Sequence, residues 1–444
     1  MGAQRQRRCI GLDVHREFAQ VAIWQAGVVT QAGRFATTPE GVRAFAETLG
    51  SADEVALEAT GNTGAIATLL ASRAGRVVVS NPVKTRAIAE AKVKTDKVDA
   101  EILAQLLAAD YLPAVWRPSP ATCALRRQVL RRAHIVRQRT RLKNQVHAIL
   151  HRNLIPRCPA ADLFGHKGRA WLAEQELPAD ELSAATALLR QLDFHAEELR
   201  LIDTELGQAA LASPEVLRLM TVPGIDATVA LSIVAAVGDF AQFRSPEKLV
   251  AYLGLNPRVR QSGGQPASHG RITKAGPAHA RGMLVEAAWS ASKAAGPLRA
   301  FYQRVQARRG MQIAVVATAR KLAVLCWHLI RKGEDYAYAQ PSLVAHKRRK
   351  LELRAGLPAA RGQKGKSAGY SLKAVRAAER DLAAQAEAAY RVTVATWQPR
   401  RPGTGSTARS APGKAGATRP GVDVAATNGA RLSRPSRGNA ARQG

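Results

Sequence analysis

The chain has 444 residues, 46% of them hydrophobic, enough for two or three domains with their own cores. Its 66 Lys plus Arg against 34 Asp plus Glu leave a formal charge of +32. A polyanionic partner relieves that self-repulsion, and the charge selects nucleic acid over an anionic membrane surface. The four cysteines (Cys9, Cys123, Cys158, Cys326) are far apart and form no C-x-x-C pair. This argues against zinc ribbons and disulfide frameworks and fits a reducing cytoplasm.

The first segment reads as α/β. Cys9–Val14, Phe18–Trp24 and Val28–Phe35 are β-rich runs, the last two separated by a turn at Gly27. Gly41–Leu49 has helical spacing, Val55–Glu58 is a short buried strand, Ala65–Ala74 a helix and Arg76–Ser80 a further strand closed by Asn81-Pro82. Strands alternating with helices predict a mixed sheet covered on both faces. Lys84–Ala109 then reads as one helix. From Ala121 to Pro159 there are ten Lys or Arg and no acid. Leu125, Val129, Val136, Leu142, Val146 and Ile149 recur there at roughly helical spacing. A second helical stretch, Ala179–Gln208, carries the acids Glu197, Glu198, Asp203 and Glu205, so the two are expected to pair as an antiparallel arm. Leu217–Tyr338 is compact and mostly helical, while Pro341–Gly444, with 21 Lys or Arg and five acids, reads as a disordered basic tail. No apolar run approaches the ~18–20 residues that span a bilayer. The basic Met1–Arg8 is followed by too short an apolar stretch for a signal peptide, so a cytoplasmic, nucleoid-associated protein is expected.

Four carboxylates carry a pattern. Asp13 interrupts the first strand in Gly11-Leu12-Asp13-Val14-His15, and Glu58 ends the strand that precedes Ala59-Thr60-Gly61. Asp96 and Asp99, in Lys94-Thr-Asp96-Lys-Val-Asp99-Ala100, are spaced i, i+3 and share a helix face. Acids from two strands and one helix face are what a two-magnesium phosphoryl-transfer site requires, because hard cations take oxygen ligands. All four are therefore candidate Mg2+ ligands and catalytic residues.

A candidate nucleophile lies in Arg258-Val-Arg260-Gln-Ser262-Gly263-Gly264, on glycine-rich backbone that DNA can approach closely. Arg258, Arg260, Arg271, Lys274 and Arg281 surround Ser262 as candidate phosphate clamps. Spacing alone leaves Ser268 and Thr273 as rival hydroxyls. Leu219–Ile225 with the apolar Val229–Val237 reads as a helix-hairpin-helix, whose turn at Gly224 offers amides to a phosphate. In the basic arm Arg126, Arg127, Arg131, Arg132, Arg137, Arg139, Arg141 and Lys143 are candidate nucleic-acid contacts. His147 and His151 are spaced i, i+4 without a third ligand and read as ordinary residues of that helix.

Taken together, these segments resemble the insertion sequence 110 family of transposases, the Piv-type or DEDD transposases. Gly11-Leu-Asp13, Glu58-Ala-Thr-Gly61, Lys94-Thr-Asp96-Lys-Val-Asp99-Ala100, Pro223-Gly-Ile225, Ser262-Gly-Gly264 and Ile272-Thr-Lys274 match in order, over about Cys9 to Tyr338. The resemblance implies an α/β RNase H-like (RuvC-like) domain at 1–115 and a basic coiled-coil arm at 116–212. It further implies a mainly α, serine-bearing transposase domain at 213–340, followed by the largely disordered basic tail at 341–444. It implies that Ser262 forms a 5′-phosphoserine link to DNA, with the carboxylate site of one subunit serving the serine of another in a homo-oligomer (dimer or tetramer). It also implies a noncoding bridge RNA that pairs with both donor and target DNA. Two rival readings are a Holliday-junction-type nuclease that uses water while Ser262 only binds phosphate, and a non-catalytic nucleic-acid-binding remnant.

Overall fold

The computed structural model of the chain describes residues 7–89, 95–358 and 372–396. The N-terminal region is a five-stranded mixed sheet of β1 (Arg8–Val14), β2 (Phe18–Gln25), β3 (Val28–Ala36), β4 (Asp53–Glu58) and β5 (Arg76–Ser80), in the order β3-β2-β1-β4-β5. The first three strands form an antiparallel meander, and β4 and β5 run parallel to β1. Parallel neighbours need crossovers, which α1 (Pro39–Glu47) and α2 (Thr63–Leu70) supply. Alternation along β1 divides its side chains between two layers. Ile10 and Leu12 pack with Val42, Ile66 and Leu70 on the α1–α2 side. Cys9 packs with Leu103 and Leu107 of α4 (Asp96–Ala108) on the other. A mixed sheet followed by a mostly helical remainder is compatible with the RNase H-like fold expected for the first domain.

The single helix expected over Lys84–Ala109 is instead two, α3 (Pro82–Ile88) and α4. The reason is capping: Thr95 is extended, and its hydroxyl accepts from the Val98 amide, which starts a new helix at Asp96. Lys94 lies outside the described residues.

Two 33-residue helices follow, α5 (Pro120–Arg152) and α7 (Ala179–Leu211), each about 50 Å long. Their ion pairs set the early part of one helix against the late part of the other: Arg131–Glu198 and Arg132–Asp203 near one end, Arg152–Glu181 near the other. The helices are therefore antiparallel. One position of the expected apolar stripe is shifted, since Ile135 is buried and Val136 is 37% exposed. A short helix, α6 (His166–Ala173), closes the far end over Val146, Leu150, Leu163 and Leu172.

The remaining core gathers α8 (Pro214–Leu219), α9 (Ala227–Val237), α10 (Pro246–Tyr252), α11 (Ala278–Ala291), α12 (Pro297–Arg309) and α13 (Met311–Lys332), with a hairpin of β6 (Pro257–Arg260) and β7 (Ser268–Ile272). By length and composition α13 could cross a membrane, contrary to the sequence reading. Its buried Val315, Ala319, Leu322, Ala323, Cys326 and Leu329 instead make it a core helix.

The stretch after Pro341 corrects the expectation of a patternless tail. It forms α14 (Pro341–Arg354) and α15 (Lys373–Thr396). Leu351 of α14 joins the core, and Ala355 packs against Gly207 of α7. Glu387 of α15, 4% exposed, accepts from the Gly296 amide, Arg299 and Arg391. These helices make several polar contacts, and α14 carries the basic run Lys347–Lys350, which masks its apolar Leu351 in the sequence. Residues 397–444 of the expected tail lie outside the described residues.

Candidate active site

Gly11 sets the geometry of the carboxylates. A Cβ at that position would lie 2.0 Å from the Ala100 carbonyl oxygen and 2.6 Å from the Ala104 nitrogen. Only a glycine lets α4 approach β1 so closely. Cys9 lies beside Leu103 and Leu107, and Gly11 beside Ala100, so α4 runs antiparallel to β1 and delivers Asp96 to Asp13. Glu58 follows Leu57, the register partner of Leu12, which puts it beside Asp13 at the same strand ends. Its backbone carbonyl accepts from the Thr63 hydroxyl at the start of α2. Asp96 and Asp99 occupy the first turn of α4, where the positive end of the helix dipole favours negative charge.

Sequence reasoning overlooked His15. Its Nε2 stands 3.1 Å from Asp13 Oδ2 and 3.3 Å from Asp96 Oδ1, bridging the two acids. His15 stands one residue beyond the end of β1, where strand periodicity gives no signal. Asn62 donates to the His15 carbonyl, and Arg34 reaches Asp96 at 3.7 Å while lying over the Phe18 ring. Gln31 of β3 donates to the Lys97 carbonyl and to Glu101, tying the start of α4 to the sheet. Burial raises the Asp13 carboxyl above its ordinary value; His15 opposes this, and the charges of Asp99 and Asp96 add to it.

Asp13, His15 and Asp96 each present one ligand atom, all within 4.8 Å of one another. A carboxyl held above its usual range by burial, and further by neighbouring acids, is relieved by a cation. The residues present therefore fit a divalent metal, with His15 adding a nitrogen to an oxygen-rich set.

Ser262 occupies a very different environment. It opens a tight turn in which its carbonyl accepts from the Gln265 amide, and Gly263 and Gly264 both have positive φ (+56° and +72°). That is a type I′ hairpin turn, which needs two such residues and explains the paired glycines. All residues from Arg258 to Arg271 are exposed, and nothing lies within 4 Å of an added Cβ on either glycine. The base of the hairpin is fixed by contrast. Thr273 donates its hydroxyl to Asn256 Oδ1, Arg281 donates to the Leu253 and Ala275 carbonyls, and Gly254 and Gly276 pack against backbone. Thr273 and Arg281 are thus occupied in holding the hairpin. Arg258, Arg260, Arg271 and Lys274 are exposed, with no ion pair among the described residues, and Ser268 is exposed on β7. Among the described residues, no hydrogen bond or ion pair joins this hairpin to the carboxylates.

The basic helix divides likewise. Arg126 donates to the carbonyls of Ala235 and Ala236, while Arg131 and Arg132 pair with α7. Lys143 lies over the Phe164 ring, and Arg139 Nε is buried without a hydrogen-bond partner. Arg127, Arg137 and Arg141 are exposed and make no ion pair among the described residues. At the α8–α9 turn, the Cα of Gly224 abuts the backbone of α11 at Ala287 and Ala291, and the Asp226 carboxylate caps α9 by accepting from the Val229 amide. That helix N-terminus therefore already holds an anion of its own.

Comparison with known proteins agrees with this layout. A transposase profile of the IS110 DEDD type matches residues 10–154, and the profile of the transposase IS116/IS110/IS902 family matches residues 216–303. The first spans the sheet, α4 and α5; the second spans the α8–α9 turn and the serine hairpin. The chain is 30% identical over 275 residues to "Putative transposase y4qE" of Sinorhizobium fredii, covering 55% of this chain and 66% of that protein. It is 27% identical over 253 residues to the transposase for insertion sequence element IS1111A of Coxiella burnetii, covering 55% and 68%. It is 26% identical over 271 residues to the pilin gene-inverting protein of Moraxella bovis, covering 59% and 74%. Two profiles matching in order across more than half the chain, with relatives that agree in name, show that it belongs to the IS110/IS116 family of transposases.

Proposed function

We propose that this transposase cuts and rejoins DNA through a covalent phosphoserine intermediate made at Ser262. Asp13, Glu58, Asp96 and Asp99, with His15 alongside, hold the divalent metal. The observation that carries the reading is the convergence of Asp13, His15 and Asp96 at one end of the sheet, on α4 drawn in by Gly11. Mg2+ is the ion that an oxygen-rich set favours, and it supplies activation of the attacking oxygen and stabilisation of the leaving one.

In cleavage, Ser262 Oγ forms a bond to the phosphorus while the bond to the 3′ oxygen breaks. The serine proton passes to a carboxylate, and the departing 3′ oxygen takes up a proton. Rejoining reverses the exchange: a 3′ hydroxyl attacks the phosphoserine and the serine leaves with its proton restored. A free hydroxyl is a weak nucleophile near neutral pH, and the hairpin offers no base among the residues flanking Ser262 except His269. The carboxylates must therefore come to it, and separate copies of the chain acting on donor and target DNA would bring the two halves together. Arg258, Arg260, Arg271 and Lys274 hold the phosphates beside Ser262, while Arg127, Arg137 and Arg141 on the long helix contact backbone without reading sequence. Site choice is assigned to a structured bridge RNA, and the +32 charge suits a protein that carries both RNA and DNA in the cytoplasm.

The test is to incubate element-end DNA labelled at the scissile phosphate with the protein and its flanking transcript, then denature. Label should remain on the protein and map to the peptide holding Gln261–Gly264. Free cleaved DNA with unlabelled protein would mean that water is the nucleophile.

A further inference from the structure

Polar residues stand in one row across the whole sheet. Register pairs Arg34 of β3 with Gln20 of β2, Gln20 with Asp13 of β1, and Glu58 of β4 with Ser80 of β5. Glu58 joins the row beside Asp13, one position after the Leu12–Leu57 pair. Cys9, Ala56 and Val78 pack with Leu103 and Leu107 of α4. Asp13, Glu58 and Ser80 lie an even number of positions further along the same three strands, so they share that face.

The two flanks of the acids differ. Gln20, 2% exposed, is engaged at both ends: its amide donates to Gln31 Oε1, and its oxygen accepts from Arg34 Nε. Ser80 is completely buried, yet its hydroxyl has no hydrogen-bond partner among the described residues. Its main chain is fixed, because its carbonyl accepts from the Ala59 amide and a bridge joins it to Ala114. The neighbours of Ser80 along the row are therefore Glu58 on one side and Ala114, which has no polar side-chain atom, on the other. A buried hydroxyl without a partner carries a desolvation cost that a further valine or an alanine after Arg76-Val-Val-Val would avoid. An idle donor of this kind calls for a reason, and the acid beside it supplies one.

We propose that Ser80 is a positioning residue of the carboxylate site: its hydroxyl donates to the Glu58 carboxylate and holds it in place once that acid takes up a divalent cation. Carboxylates that bind metal are themselves hydrogen-bonded, and those outer partners fix their orientation. The proposal rests on the reading of Glu58 as a metal ligand. It adds to that reading a residue on β5, a strand that contributes no acid to the site.

The test compares full-length wild type, Ser80→Ala and Glu58→Ala by Mn2+ affinity, from electron paramagnetic resonance, and by thermal melting without metal. Alanine at position 80 removes one idle buried oxygen, so the metal-free variant should melt at or above the wild-type temperature. Its Mn2+ affinity should nevertheless fall by at least about tenfold. A smaller loss, with Glu58→Ala clearly weakened, overturns the proposal and leaves Glu58 a ligand. A metal-free Ser80→Ala that melts below wild type also overturns it, since the hydroxyl would then be engaged before any metal binds. Wild-type affinity in Glu58→Ala would remove the reading of Glu58, and the role of Ser80 with it.

Discussion

The two halves of the chemistry are built in opposite ways. The carboxylates sit on a sheet end and a helix start locked together by backbone contact at Gly11, by Gln31 and by His15. Ser262 stands at the tip of an exposed two-stranded hairpin that is firm only at its base. A partly buried, pre-positioned set of acids is ready to take a metal in the single chain. A solvent-exposed serine with no partner has ordinary reactivity until something is brought to it. The contrast is between acids that converge in the single chain and a serine that, in the function proposed above, acts as nucleophile only once assembled with DNA.

The sharpest way to break this comparison is at the tip. Ser262→Ala should lower strand transfer by at least ~10³-fold yet leave folding and metal binding unchanged, as read by adduct gels and calorimetry. Ser268→Ala and Thr273→Ala should still form the adduct, and an adduct lost on Ser268→Ala would relocate the nucleophile.

On the other half, the smallest added group should do the greatest harm. Gly11→Ala is expected to cost about 2–3 kcal/mol by forcing α4 off the sheet and to abolish Mn2+ binding measured by electron paramagnetic resonance. The same change at Gly263, where nothing lies within 4 Å but φ is positive, should cost about 1 kcal/mol from backbone strain alone and leave Mn2+ binding intact. Retained metal binding in Gly11→Ala would show that the close approach is not what organises the acids.

Asp13→Asn should separate stability from function. Because burial raises the folded carboxyl above its unfolded value, the folded chain holds this proton more tightly. Stability from this group is present at low pH and is lost as pH rises from the ordinary carboxylate range through the raised value. At neutral pH the charged acid is a cost, so the Asn variant should be the more stable, while magnesium raises the melting temperature of wild type only. A less stable variant would contradict this.

The smallest effects belong to the long helix. Neutralising Arg127, Arg137 and Arg141 together should leave stability unchanged and reduce the slope of log affinity against log salt by roughly 2–3. Arg126→Ala should instead destabilise the chain by about 1–2 kcal/mol, because it frees the Ala235 and Ala236 carbonyls. It should leave the salt slope almost untouched.

The sequence carried much of this. Asp13 between apolar strand residues, Glu58 at a strand end and the i, i+3 pair Asp96 and Asp99 were visible from period and spacing alone. His15 was not singled out, because a lone histidine after a strand has no pattern until the strand register and α4 bring Asp96 beside it. The break between α3 and α4 was hidden by a continuous Ala, Leu and Lys composition, where one threonine cap decides the boundary. Arg126 and Arg281 looked like phosphate ligands because charge counts cannot see a backbone carbonyl waiting for a donor. The helices after Pro341 were missed for a related reason: Glu387, Glu379 and Lys347 hold them by bonds to distant residues, among them Glu379 to Ser342, which leave no periodic trace.

The most direct test mixes two inactive chains. Ser262→Ala keeps the acids, Asp13→Asn keeps the serine, and each alone should form no DNA adduct. Incubated together with DNA and the flanking transcript, they should regain adduct formation, with the phosphate on Ser262 of the Asp13→Asn chain, as the proposed sharing of the site between separate copies requires. A mixture that stays inactive while wild type reacts, or an adduct found on the Ser262→Ala chain, would contradict that division of labour.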